Sequence, residues 1–428
     1  MKEKMFSLAA AVLFVIAAAV SWSDGFDWPR WRGPDGDGIS KETDWDPGAL
    51  EGGGQVLWKV NVGIGYSNVA VSGNRVFAMG SKGGNIAVNC LDADTGKQLW
   101  EYSWPEYLTP QSTPTVEDSR VYVLSADGLV FCLEAADGKV TWKKDLVRDY
   151  GALRPAYGFG GSPVVEGSLL LLNANTSGMA LDKKTGKLVW SSQKPPERIR
   201  ASIPGDNGAT YMTPVVFSDG RNRSALFYSW KGLFSVDPAS GKPFWVYPWE
   251  IYNNNKTPDP AISAGGILLA DETAKDGTRV CTLLGLKDGA PRVVWRSRDF
   301  YSDVASPVIN GGFAYCCHGG PYSNSSFARL CCIDMKTGRL AWETDLGGEV
   351  RPRWISLSAS DGKLIILDDT GVLRIARAAS SSYEELSRMD VLGESKRPLT
   401  FPTPPVLSGG RIYCRSYAGD LVCIDVRK

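Results

Sequence analysis

A short unit reading C-L-D-A-D-T-G-K-Q-L-W at Cys90–Trp100 returns as Cys132–Trp142, Ala180–Trp190, Ser235–Trp245 and Cys332–Trp342, and more loosely as Gly285–Trp295. In the close copies a hydrophobic run ends in an acidic residue, a Gly-containing turn follows, and a second short run ends in tryptophan. Self-similarity at roughly 40–50 residues marks a repeat architecture, and it overrides the two or three domains that length alone suggests. Between these units the chain alternates in short runs. A strand opens on Ser/Thr-Pro or a close variant (Ser112-Thr-Pro, Ser162-Pro, Thr213-Pro, Ser306-Pro, Thr403-Pro), where proline is tolerated because the first strand residue need not donate to a ladder. A turn, a second strand such as Arg120–Leu124, another turn, and the repeat hairpin complete four antiparallel strands.

The tryptophans count the repeats. Trp58, Trp100, Trp142, Trp190, Trp245, Trp295 and Trp342 follow one another at spacings from 42 (100−58) to 55 (245−190). A degenerate unit without tryptophan follows, from Lys363 through Tyr383, and then Thr403–Asp425 supplies three strands and stops. The missing fourth strand is available at Val56–Val60. The expected fold is therefore all-β, an eight-bladed propeller of four-stranded antiparallel blades closed by an N-terminal strand, since closure removes exposed edges.

Lys+Arg and Asp+Glu are both 47, giving zero net charge. Bulk electrostatic capture of nucleic acid or an anionic membrane is thereby disfavoured. The single histidine, His318, confines any histidine-based metal or triad chemistry to one position.

Residues 1–23 read as an export signal, with Lys2 and Lys4 before the apolar Met5–Val20, which is shorter than the roughly 20 residues of a spanning helix. The expected product is periplasmic or secreted, not membrane-spanning, and monomeric. Residues 24–55 form a Pro/Gly/Trp-rich arm, Trp28-Pro-Arg-Trp-Arg-Gly-Pro-Asp-Gly at its centre, expected to lie over apolar surface. Its Asp35-Gly-Asp37-Gly lacks the further ligands of a calcium loop and reads as a turn. The propeller is expected over residues 56–428.

The D-x-x-T-G-K-x-x-W unit resembles the quinoprotein alcohol dehydrogenase-like propellers, or PQQ-like repeat proteins. With the W-P-x-x-R-G-P-x-G arm, the chain is similar to exported bacterial PQQ-binding-like repeat proteins. That superfamily holds both quinoprotein dehydrogenases and the non-catalytic assembly lipoprotein of the BamB type. The resemblance covers nearly all of the chain after residue 23, and it is specific for fold but weak for activity.

The repeat tryptophans are expected to pack between neighbouring blades, and the Asp and Gly of each turn to be structural. Function is expected where the copies differ. By the resemblance, the connections from each fourth strand to the next blade line one mouth of the central channel: Arg148–Gly160, Arg198–Tyr211, Tyr247–Pro258, Tyr301–Asp303 and Arg351–Ile355. Arg154, Tyr157, Arg200, Tyr211, Trp249, Arg351, Arg353 and Trp354 suit a small anionic or aromatic ligand there, by stacking and bidentate contact. The quinoprotein enzymes imply PQQ with Ca2+, held by Glu and Asn beside an Asp base. No such constellation can be matched residue by residue. Glu250, Asn253, Asn254, Asn255, Asp259 and Asp303 read as exposed polar loop rather than a metal site.

Of nine cysteines, Cys90, Cys132, Cys332 and Cys423 share one register and read as small core residues. An alignment of hairpins sets Cys414 opposite Cys423, Cys316 opposite Cys332 and Cys317 opposite Cys331, with at least one cross-strand disulfide expected in an oxidising compartment. Cys316-Cys317 resembles the adjacent-cysteine disulfide of quinoproteins, but it lies within a second strand rather than a mouth loop. The favoured reading is an exported scaffold binding a partner protein or small ligand. The alternative is a PQQ-dependent oxidoreductase, and enzymatic activity is the minority reading.

Overall fold

The computed structural model describes residues 26–193, 209–229, 231–248, 258–273, 278–287, 289–302, 304–319, 327–347, 350–392 and 403–428. The export signal and the candidates Arg200 and Trp249 lie outside them, as do Glu250, Asn253, Asn254, Asn255 and Asp303.

Among the described residues the chain forms eight sheets, each built on four antiparallel strands, and in the first seven blades those four strands follow one another in sequence order. Blades 1 to 7 span 69–105, 115–145, 164–191, 215–248, 261–297, 308–344 and 355–390. Blade 8 takes three strands from 406–425, and Gln55–Asn61 pairs antiparallel with Asp420–Asp425 as its fourth. The expected closure is thus present. First strands of consecutive blades approach one another, which places them around the central axis.

The repeat unit explains the seams. In the first blade, Cys90 on the third strand lies opposite Trp100 on the fourth, and a β-bulge follows directly. The same pairing and bulge occur at Cys132/Trp142, Ala180/Trp190, Ser235/Trp245, Cys332/Trp342 and Cys423/Trp58. Such bulges re-aim a side chain. In blade 5 the residue opposite Trp295 is Leu283, not Gly285, because the hairpin there turns tightly between Lys287 and Ala290.

Each indole points into the next blade. Nε1 of Trp58, Trp100, Trp142, Trp190, Trp295 and Trp342 donates to the carbonyls of Ala93, Ala135, Lys183, Pro238, Met335 and Ala379, at 2.8 to 3.1 Å. All of these rings but that of Trp342 lie on the glycine of the receiving turn. A Cβ on Gly138 (φ +74°) would stand 2.6 Å from the Trp100 ring. That position needs glycine for both its backbone and its space. The turns are held as expected: Asp92 Oδ1 accepts from the Thr95 amide and hydroxyl at 2.9 and 2.7 Å.

A second joint circles the axis. From blade 2 to blade 6, a residue just before the first strand accepts, through its side chain, the backbone N–H of its counterpart one blade earlier. Asn68 N donates to Thr113 Oγ1, Thr113 N to Ser162 Oγ, Ser162 N to Thr213 Oγ1, Thr213 N to Asp259 Oδ1 and Asp259 N to Ser306 Oγ, all within 2.8–3.0 Å. The Ser/Thr of the Ser/Thr-Pro strand openings belongs to this belt.

The arm does more than cover surface: it runs once around the inside of the ring. Trp28 bridges Val71 of blade 1, Pro29 O accepts from Val116 N of blade 2, and Arg30 and Trp31 face Val164 of blade 3 and Val215 and Val216 of blade 4. Trp31 Nε1 donates to Asp259 Oδ2 (2.6 Å) at the entrance to blade 5, and Arg32 Nη2 to Pro307 O (2.6 Å) at blade 6. Ile39–Ser40 adds a parallel strand to blade 7. The Glu42 carboxylate accepts from the Gly409 and Gly410 amides of blade 8 at 2.6 and 2.8 Å. Trp45 and Leu50 then fill the seam of blades 7 and 8, among Ile365, Leu373, Leu407 and Ile424, where blade 7 has no tryptophan.

The seams predict a specific contrast. Trp142→Phe should lower stability by about 1 kcal/mol through its lost hydrogen bond, measured by urea unfolding. Trp245→Phe should be near neutral, because that indole N–H has no partner among the described residues.

Candidate functional site

The mouth formed by the connections between blades is where the sequence places its candidates, and the structure sorts them into two groups. The first lies over blades 2 to 4. A short helix, Leu146–Tyr150, opens the loop from blade 2; Asp145 caps it by accepting from the Val147 and Arg148 amides, and Gly151 ends it with φ 63°. The loop then carries Arg154, whose guanidinium is paired with Asp127. Tyr157 is 61% exposed, its N–H donates to Tyr211 Oη at 3.2 Å, and the two rings stand 6.1 Å apart. Gln111 Nε2 donates to Tyr157 O at 2.6 Å.

This aromatic edge continues beyond the predicted residues. Tyr66 N donates to Pro110 O, next to Gln111, and the Tyr66 ring packs at a tilt of 41° against Tyr417 of blade 8, with ring centroids 4.6 Å apart. An arc of four tyrosines therefore follows the rim from blade 8 to blade 4. Tyr66 and Tyr417 carry no repeat signature, and only the register of the ring reveals them.

The second group lies between blades 6 and 7. Arg351 pairs with Asp345 at 3.2 Å and lies over the Phe327 ring. The Arg353 side chain is exposed, while its backbone N–H donates to Asp369 Oδ1 at 2.9 Å. Trp354 is buried, so it offers no stacking face, and its carbonyl accepts from Asp369 N at 3.1 Å.

Asp369 was not among the expected residues. It is buried, Oδ2 has no partner among the described residues, and burial pushes its carboxyl up to about 6. The signal lay in the doubled Asp368-Asp369 at a turn where blade 2 has Ser125-Ala126. Asp368 instead forms a buried ion pair with Arg374.

Asp259, expected as exposed polar loop, is instead part of the buried belt around the axis. Asp259 is buried, and its two oxygens accept from Trp31 Nε1 and Thr213 N. It fills the belt position where other blades carry hydroxyls. Burial raises its carboxyl, and the Arg32 guanidinium opposes that shift. His318 Nδ1 sits 3.3 Å from Glu343, with Phe300 and Tyr301 edge-on to its ring. Among the described residues no group of three or more His, Cys, Asp or Glu is placed to hold a metal ion. With Arg154 and Arg351 paired to aspartates and Trp354 buried, these residues do not fit a quinone cofactor and its calcium.

The cysteine expectations need correction. All nine are free thiols. Cys414 faces Val422, Cys423 faces Tyr413, Cys332 faces Tyr315 and Cys317 faces Leu330; Cys316 faces Cys331. The expected pairings were one residue out of register, and in a strand that exchanges the two faces.

A family model described as "Outer membrane protein assembly factor BamB" matches residues 48–245 and 277–378. The chain is 32% identical over 317 residues to the outer membrane protein assembly factor BamB of Yersinia pestis, covering 60% of this chain and 74% of that protein. It is 26% identical over 278 residues to a polyvinylalcohol dehydrogenase of Sphingopyxis sp. (strain 113P3), covering 61% of this chain but only 37% of the relative. The solved structure of BamB from Moraxella catarrhalis superimposes with a TM-score of 0.59 at 15% identity, over 87% of this chain and 97% of that one, a likeness of fold.

Asp369 gives the mouth a pH dependence. A carboxyl raised by folding favours the protonated native state, so its contribution is complete below pH 4 and is lost as pH rises toward 6. Relative to wild type, Asp369→Asn should gain up to about 3 kcal/mol between pH 4 and 7, read from urea unfolding across that range.

Proposed function

Because the chain belongs to the propeller family described as outer membrane protein assembly factor BamB, we propose that it is a protein-binding scaffold of the cell envelope. The observation that carries this reading is an apolar rim. Outer strands of a propeller are edges, and native edges are usually blunted by charge. Blade 2 exposes Thr141 and Lys143 on its outer strand, and blade 6 exposes Glu343. Blades 3, 4 and 5 expose apolar side chains in pairs, Leu188 and Val189, Phe244 and Val246, and Val293 and Val294, each 40–56% accessible, where blades 1 and 8 expose one each, Leu99 and Val56; blade 5 also carries the exposed Arg292 and Arg296. The outer strands of blades 4 and 5 also approach each other, and Tyr247 and Arg296 bond between them at 2.5 Å. Unpaired strand edges bearing aliphatic side chains suit an extended segment of another protein.

The filled interior supports the same reading. With the arm lying along the inner strands, binding is left to the rim and the tyrosine-lined mouth. The name of the Yersinia relative makes envelope protein assembly the natural setting, and the expected export signal agrees with it. The PQQ-dependent alternative draws on the dehydrogenase relatives, but the described mouth residues do not supply its ligands.

A photocrosslinking residue at Val246 or Val294 should yield a discrete protein adduct in intact cells, and one at Thr141 or Lys143 should not. Equal labelling at all four positions, or dye reduction by the purified protein with PQQ, Ca2+ and an alcohol, would overturn the scaffold reading. Charged substitution of Val246 and Val294 together should weaken the adduct at least about tenfold, or about 1.4 kcal/mol.

A further inference from the structure

Blade 6 holds four of the nine cysteines on one hairpin, Phe313–Gly319 and Ala328–Asp334. Only one pair among them is mutually opposed. Cys316 and Cys331 face each other in register, fully buried, with Sγ atoms 3.5 Å apart. Directly opposed antiparallel residues hold their Cα atoms about 4.5–5.5 Å apart, inside the roughly 4.4–6.8 Å that a disulfide spans. Closing the bond asks for side-chain rotation rather than backbone movement. The other thiols face tryptophan, tyrosine, valine or leucine, except Cys281 of blade 5, which packs in the same cluster as Cys316 and Cys331.

We propose that Cys316 and Cys331 are a disulfide site, closed when the chain folds in an oxidising compartment. The compartment rests on the envelope reading above; the pairing rests on the hairpin alone. A thiolate of one cysteine attacks a donor disulfide, either glutathione disulfide or that of a thiol–disulfide oxidoreductase, forming a mixed disulfide and releasing one donor thiol. The second thiolate displaces the other donor sulfur. Two cysteines thus lose two protons and two electrons, and the donor disulfide is reduced to two thiols.

The structure also sets the timing. Once blade 6 is packed, burial raises both thiols, Cys331 well above its usual range, and no donor reaches them. The bond is made while the hairpin is still open, and burial then shields it from reductants.

The test is refolding in vitro. Chain unfolded with denaturant and reductant is refolded in a glutathione redox buffer, alkylated, digested and mapped by mass spectrometry. The expected result is a Cys316–Cys331 linked peptide with the other seven thiols alkylated, and a higher unfolding midpoint than protein refolded under reductant. Native reduced protein given the same buffer should stay reduced. Cys331→Ser should abolish the link and Cys281→Ser should keep it; if either variant fails to fold, the wild-type map decides alone. Nine alkylated thiols after oxidising refolding, or a link through Cys281, Cys317 or Cys332, would overturn the site. Because refolding involves no cell, failure here leaves the envelope reading standing, and failure of that reading leaves this pairing standing.

Discussion

The propeller depends on an indole resting on a glycine. A flat ring from one blade covers the turn of the next, its N–H meets a carbonyl there, and the absent Cβ lets the two surfaces touch. Five seams follow this rule with hydrogen-bond lengths that differ by 0.3 Å (3.1−2.8), and Trp342 keeps the hydrogen bond over a turn that has no glycine. The two remaining seams show what the contact requires. Between blades 4 and 5 the receiving turn is a tight hairpin, and Trp245 keeps its packing but not its bond. Between blades 7 and 8 no outer-strand tryptophan exists, and the arm supplies Trp45 instead.

That regularity made the frame legible from sequence. The unit at Cys90–Trp100 is a local pattern whose partners lie at a fixed offset in the next copy, so counting copies counted blades, and the incomplete last copy pointed to Val56–Val60. The arm was not legible to the same degree. Its contacts with Val71, Asp259, Pro307, Ala359 and Gly410 follow no period, and each depends on a different blade being in place. The cysteine pairing failed for a narrower reason: Tyr315 and Tyr413 lie directly opposite Cys332 and Cys423, and a shift of one residue exchanges the two faces of a strand.

The mouth was half legible. Arginine and tyrosine in the irregular loops were found by composition, and Tyr157 and Tyr211 do meet. Their chemistry was not predictable, because Arg154 is held by Asp127 of another turn, Arg351 by Asp345 of its own loop, and Trp354 is turned inward. Asp369 escaped notice because carboxylates in a turn are ordinary, even when doubled; only its burial makes it unusual. The aromatic arc and the apolar rim are likewise properties of neighbouring blades rather than of any one segment.

The arm inverts the usual relation between order of synthesis and order of assembly. Its docking groups are spread over all eight blades, and its last fixed strand pairs with Asp420–Asp425. Residues 26–61 are made early, but their full set of partners exists only once the rest of the ring is in place. The segment can therefore dock in full only on the finished ring: a chain short of one blade would leave tryptophans and a buried-type arginine, Arg32, without a home. Such a chain would show apolar, cationic polypeptide near its N-terminus, a feature that distinguishes an incomplete ring from a closed one.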